Sequence, residues 1–230
     1  MENRLKTNSP LDKLLNGGIE CDAITNIYGP AGSGKTNIAL AVTIETSNDK
    51  KILYMDTEGS FSAERFRQLG GNENNLKNII FFDVHSWEDQ HREIQRIERI
   101  VEKERIALII IDSLVALYRL ELDSENFQKI NKQLATQYSI LSMITRKYKI
   151  PVLVTNQVYG YKENGDEKIE LTSRAIAKYW SKALIELKRA ERSNHRIAIV
   201  RKHRSIAEGK NIEFEIKERE LKEVGKLGFF

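Results

Sequence analysis

Residues 29–36, Gly-Pro-Ala-Gly-Ser-Gly-Lys-Thr, match the pattern G-x-x-x-x-G-K-[ST] in full. The chemistry of that pattern is a grip on a phosphate chain. Gly29, Gly32 and Gly34, with Pro30, Ala31 and Ser33 between them, let successive backbone N–H groups curl around phosphate oxygens. Lys35 supplies a point charge between the outer phosphates, and the Thr36 hydroxyl ligates Mg²⁺. A helix starting near Lys35 then offers its unpaired N–H groups and dipole to the same anion. Three further polar residues close apolar runs. Asp112 ends IALIIIDS (106–113) and is placed to hold the magnesium shell. Glu58, in YMDTEGSF, faces the ligand crevice if its run is a strand of an open α/β sheet, where it would polarise a water for attack on a γ-phosphate; the alternative is a turn or capping acid. Gln157, at the end of PVLVTNQ, senses the γ-phosphate through its amide or is a surface turn residue.

Such a constellation needs a scaffold of parallel strands. AITNIYG (23–29), KILYMDTE (51–58), IIFFDV (79–84), IALIIIDS (106–113) and PVLVTNQ (151–157) are apolar on both faces, the mark of buried parallel strands. Helix-period segments lie between them. One runs from Lys35 to Thr46. Another carries Trp87, His91, Ile94, Ile97 and Val101 behind a Ser86/Asp89 capping pair. A third carries Phe127, Ile130, Leu134, Tyr138, Leu141 and Tyr148. Alternation of this kind predicts an α/β fold with a mostly parallel sheet flanked by helices. Residues 161–174 read as a polar loop. KALIELKRA, HRIAIVRKHR and NIEFEIKERELKEV then read as antiparallel strands added at the C-terminal edge. No repeat or linker divides residues 1–230, so one core domain with a lead-in of about 20 residues is expected.

Composition sets outer bounds. With 40% hydrophobic and 30% charged residues the chain reads as soluble and globular. Neither a leader-like apolar run nor a stretch of roughly 20 apolar residues is present, so a cytoplasmic protein with no membrane partner is expected. The single cysteine, Cys21, excludes an internal disulfide. A net charge of +4 permits a polyanionic partner without requiring one.

Taken in order, LDKLLNGGIECDAITNIYGPAGSGKT, MDTEGSFSAERF, LIIIDSLVALYR and VLVTNQVYG resemble the ATPase core of the RecA/RadA recombinase superfamily over roughly residues 5–220. The resemblance implies a RecA-like P-loop core with ATP and Mg²⁺ as cofactors, Glu58 as catalytic base and Gln157 as γ-phosphate sensor. Arg65, in AERF, matches the arginine that stacks on adenine. Three departures narrow it. The phosphate loop begins at Gly29, leaving no room for the helical N-terminal DNA-binding domain. The first phenylalanine is Phe61, so filament formation through the family's phenylalanine-bearing segment is not expected. RLELDSENF (119–127), at the first DNA-binding loop, has no glycine and three acids. A bare core with altered loops looks like the RadB group of archaeal RadA paralogues. That implies ATP and DNA binding, very weak hydrolysis, no efficient strand exchange, and an accessory role in DNA repair and recombination beside RadA or a Holliday-junction resolvase; a homodimer is a further expectation. The alternatives are an active strand-exchange ATPase and a KaiC-like signalling ATPase.

The candidate DNA contact is Arg201-Lys202-His203-Arg204, with Lys188, Arg189, Arg192 and Arg196 upstream. Cations at a strand end can track a phosphate backbone without reading sequence. Two other readings stand beside it: a reach to the γ-phosphate of a neighbouring subunit, and an edge strand charged against aggregation.

Overall fold

The computed structural model describes residues 4–123, 125–163, 166–171, 173–225 and 228–229. In chain order the elements are β1 (Arg4–Leu5), α1 (Leu11–Leu14), β2 (Ile19–Glu20), β3 (Ile24–Gly29), α2 (Lys35–Ser47), β4 (Lys51–Asp56), α3 (Ala63–Gln68), α4 (Glu73–Lys77), β5 (Ile79–Asp83), α5 (Trp87–Lys103), β6 (Ile106–Asp112), α6 (Ala116–Glu121) and α7 (Phe127–Tyr148). They continue with β7 (Val152–Glu163), β8 (Asp166–Leu171), α8 (Arg174–Trp180), β9 (Ala183–Arg189), β10 (His195–Lys202), β11 (Lys210–Ile216), β12 (Leu221–Glu223) and β13 (Gly228–Phe229). The main sheet runs β12-β11-β10-β9-β3-β7-β6-β4-β5. From β9 to β5 every neighbouring pair is parallel. From β9 outward through β10, β11 and β12 every pair is antiparallel. The expected α/β class with antiparallel strands at the C-terminal edge is observed, but β9, read as an added antiparallel strand, joins β3 in parallel, so the antiparallel pairing starts between β9 and β10.

The apolar runs explain the layers. Successive strand side chains point to opposite faces. In β6, Ile109 and Ile111 join one core cluster with Leu53, Met55 and the buried faces of α5 and α7. Leu108 and Ile110 join the other with Ile52, Tyr54 and α2. Both faces are covered, which is why these strands carry no polar alternation. α5 buries Trp87, Gln90, Ile94, Ile97 and Val101 on one stripe, and the Ser86 side chain caps it by accepting from the Asp89 N–H at 3.1 Å. α2 is buried around most of its girth. α7 buries Ile130, Leu134, Tyr138 and Leu141, whereas Phe127, at its first turn, stays half exposed.

Residues 161–174 depart from expectation. β7 continues to Glu163 and pairs antiparallel with β8, from Val158 opposite Leu171 to Glu163 opposite Asp166. The polar composition concealed this hairpin.

Candidate nucleotide site

The sheet register brings the phosphate loop and its partners together. Gly29 at the end of β3 lies opposite Gln157 in β7, and Asp112 at the end of β6 lies opposite Asp56 at the end of β4. β3, β7, β6 and β4 are consecutive neighbours, so their carboxyl ends form one crevice.

In the loop, Gly32 and Gly34 have φ of +70° and +99°, a backbone region that side chains disfavour. A Cβ at Gly32 would sit 2.6 Å from Arg189 Nη2, and one at Gly29 would sit 2.3 Å from the Leu187 carbonyl oxygen. The glycines are therefore required by the loop's curvature and by the strand packed against it. Lys35 folds its amine onto the carbonyls of Gly29 and Pro30 at 2.9 and 3.0 Å. Burial lowers the Lys35 ammonium from its ordinary value, against the pull of Asp112 and Glu58. Ser33 Oγ is buried with no hydrogen-bond partner. A desolvated cation and an orphaned hydroxyl beside a ring of backbone N–H groups fit a polyphosphate.

Asp112 is 2% exposed. Burial raises its carboxyl, hydroxyls of Thr155, Thr36 and Tyr54 hold it down, and the charge of Glu58 pushes it up. Tyr54 Oη and Ser60 Oγ each donate to Asp112 Oδ2 at 3.2 Å. Among the described residues no cluster of three or more His, Cys, Asp or Glu forms a metal cage. One carboxylate beside one threonine hydroxyl suits Mg²⁺, which keeps waters and takes phosphate oxygens as its other ligands.

Glu58 follows β4 on a loop that Asp56 organises. The Asp56 carboxylate accepts the backbone N–H groups of Glu58 and Ser60 at 3.1 Å and of Phe61 at 2.9 Å. Glu58 Oε1 accepts from Ser113 Oγ at 2.5 Å, and Oε2 accepts from Gln157 Nε2 at 2.7 Å. Glu58 and Gln157 thus meet directly. Arg65 lies at the crevice rim, donating to Asn37 Oδ1 at 2.7 Å and to the carbonyls of Lys217 and Glu218 at 2.8 and 2.6 Å.

The basic edge is arranged differently from a free cationic rail. Arg201 pairs with Glu186 at 2.6 Å. The Lys202 amine donates to the carbonyls of Lys178 and Ser181. Arg204 pairs with Glu20 and Asp22, and the His203 side chain is enclosed, 1% exposed, near Glu20. All four have partners within the chain, because β10 ends beside β9, α8 and the lead-in strand β2. The upstream cations divide. Arg189 Nη2 donates to the Ala31 carbonyl at 2.8 Å and Arg196 Nε to that of Gly32 at 3.2 Å, so both brace the phosphate loop of their own chain. Sequence reading placed Arg189 and Arg196 in the DNA edge. Only the strand order, with β9 beside β3, reveals the loop contact.

Residues 4–224 match the Rad51 family. The chain belongs to the Rad51 family. Within that family it is similar to the DNA repair and recombination protein RadB of Methanosphaera stadtmanae, with 43% identity over 219 residues and 94% of each chain covered. It is 42% identical over 221 residues to the protein of that name from Methanococcus maripaludis, covering 94% of this chain and 99% of the relative. A crystal structure of the RadB recombinase superposes with a TM-score of 0.81 at 33% identity, covering 96% of this chain and all of that one. Rad51-family membership accounts for the RecA-like core, and the resemblance to the RadB group stands. Among the described residues no helix is long and apolar enough to cross a membrane.

Residues 119–127, the segment that the resemblance aligns with the family's first DNA-binding loop, have a different surface from the crevice. Leu120 is 80% and Phe127 50% exposed. Glu121, Asp123 and Glu125 lie among them. Asp123 Oδ1 pins the turn by accepting from the N–H groups of Glu125 and Asn126 at 2.8 Å. An apolar and acidic face is a poor seat for phosphates.

Proposed function

We propose that this protein is an ATP-binding accessory factor of DNA repair and recombination, hydrolysing ATP slowly and binding DNA without efficient strand exchange. The observation that carries the proposal is the convergence of Lys35 at the start of α2, Asp112 at the end of β6, Glu58 just after β4 and Gln157 within β7. In this reading Lys35 and the N–H groups of residues 29–36 hold the phosphates, and Thr36 and Asp112 hold Mg²⁺. Held there, Mg²⁺ would supply charge neutralisation at the outer phosphates. Glu58 accepts a proton from the attacking water, and Gln157 reads the γ-phosphate. The N–H edges of Arg65 are engaged by protein oxygens, which leaves its planar face to stack on adenine.

Slow turnover is favoured by the state of Glu58, whose two oxygens each already accept a hydrogen bond. Weak strand exchange is favoured by the acidic face at residues 119–127. The names of the relatives favour recombination over the signalling reading, and the resemblance to archaeal RadA paralogues makes a RadA-type recombinase or a Holliday-junction resolvase the partners to test. With purified protein and Mg-ATP, ATP should bind and turnover should stay well below the ~1 s⁻¹ floor of ordinary enzymes, with or without DNA. Robust DNA-stimulated hydrolysis or strand exchange would overturn the proposal.

A further inference from the structure

We propose that Arg119 is a positioning residue that holds Gln157 on Glu58 and so withholds Glu58 from water. The inference rests on the reading of Glu58 as the hydrolytic base. Arg119 lies in α6 with its side chain exposed, and its Nη1 donates to Gln157 Oε1 at 2.9 Å. A guanidinium has donors only, and an amide has one acceptor end. That bond therefore fixes which way the amide points: Oε1 toward Arg119 and Nε2 toward Glu58 Oε2, 2.7 Å away. A flipped amide would set N–H against guanidinium and carbonyl against carboxylate, losing both bonds. The polarity of the relay, Arg119 to Gln157 to Glu58, has one solution.

The far end of the relay is closed as well. Ser113 Oγ donates to Glu58 Oε1 at 2.5 Å, so each carboxylate oxygen carries a donor before any water arrives. A general base must be within hydrogen-bond reach of the proton it takes, and here two of the carboxylate's four lone-pair sites are already filled by donors. Two donors weaken Glu58 as an acceptor, and a glutamine held by Arg119 cannot swing to a γ-phosphate without breaking a contact. Among the described residues the Arg119 guanidinium makes no other side-chain hydrogen bond and is within ion-pair distance of no carboxylate, so the Gln157 amide is its anchor there. Removing Arg119 frees the amide to rotate and releases one donor from Glu58.

The test uses the full chain with Mg-ATP and no DNA, measured as hydrolysis rate at saturating ATP and as ATP affinity. Arg119→Ala should hydrolyse several-fold to tenfold faster with ATP affinity within twofold of wild type. Arg119→Lys, whose ammonium still donates to Oε1, should stay slow. Arg119→Ala combined with Glu58→Gln should be no faster than Glu58→Gln alone. A split in which the rate rises and affinity holds is not what loss of packing gives. An Arg119→Ala rate at or below wild type overturns the inference while leaving Glu58 as base, provided Glu58→Gln is slower than wild type. A faster rate that persists in the double variant also overturns it. Glu58→Gln turning over at the wild-type rate would remove the base itself, and the inference with it.

Discussion

The nucleotide crevice and the end of β10 both gather charged groups at strand ends, yet they treat those charges in opposite ways. In the crevice Lys35 is desolvated and rests on two backbone carbonyls, Ser33 Oγ has no partner, and Asp112 is buried with its carboxyl pushed up by that burial. At the end of β10 Arg201 and Arg204 have carboxylates, Lys202 has carbonyls, and His203 is enclosed. A buried ammonium held by neutral carbonyls, beside a hydroxyl with no partner among the described residues, costs free energy unless a ligand repays it, so the first pattern marks a site. Matched pairs mark a joint. Charge alone did not separate the two.

Breaking the crevice should cost binding and leave folding untouched. Lys35→Ala should weaken ATP affinity about 10- to 100-fold, from the ~1.5–3 kcal/mol typical of hydrogen bonds to charged groups. Its melting temperature without nucleotide should not fall, because a desolvated ammonium is removed; calorimetry and thermal melts read both. The joint should behave in reverse. Arg204→Ala takes from Glu20, whose side chain is 9% exposed, its nearest cation at 2.8 Å and leaves Arg4 at 3.7 Å. Denaturant titration should show a loss of about 2 kcal/mol, with ATP affinity unchanged.

Smaller effects sharpen the contrast. Arg201→Ala with Lys202→Ala should change DNA affinity less than about threefold, because these cations already have partners; a loss on the scale of several phosphate contacts would restore the DNA reading. His203 supplies the finest test. Burial holds its imidazole below its ordinary value, Glu20 pulls it up, and the charges of Arg4, Arg204 and Lys210 push it down. A folded state that resists protonation is stable above the unfolded value of ~6.5 and loses stability as pH falls through the folded value. Stability should therefore decline from pH 7 to 5, and His203→Gln should flatten the decline.

What the sequence showed and what it hid follow one rule. The phosphate loop, Asp112 and the parallel strands were legible because their chemistry and their neighbours are contiguous in sequence. Glu58 and Gln157 were legible as strand-end residues, though not as a bonded pair, since 99 positions separate them. Asp56, two residues before Glu58, carried a local signal that went unused: an aspartate followed by small polar residues and glycine organises the N–H groups after it. The pairing of Arg204 with Glu20 and Asp22 spans more than 180 positions, and the bracing of the loop by Arg189 and Arg196 depends on β9 lying beside β3. Strand order is a tertiary fact, and no local pattern announces it.

The most direct measurement is DNA affinity titrated without nucleotide, with ATP and with ADP, on single-stranded, duplex and branched substrates, for wild type and for Arg201→Ala/Lys202→Ala. A ligand shifts a protein only through differential affinity for its states. The account predicts affinities that differ between ATP and ADP, and differ alike in both proteins. Equal affinity in all three nucleotide states, or binding lost only in the double variant, would contradict it.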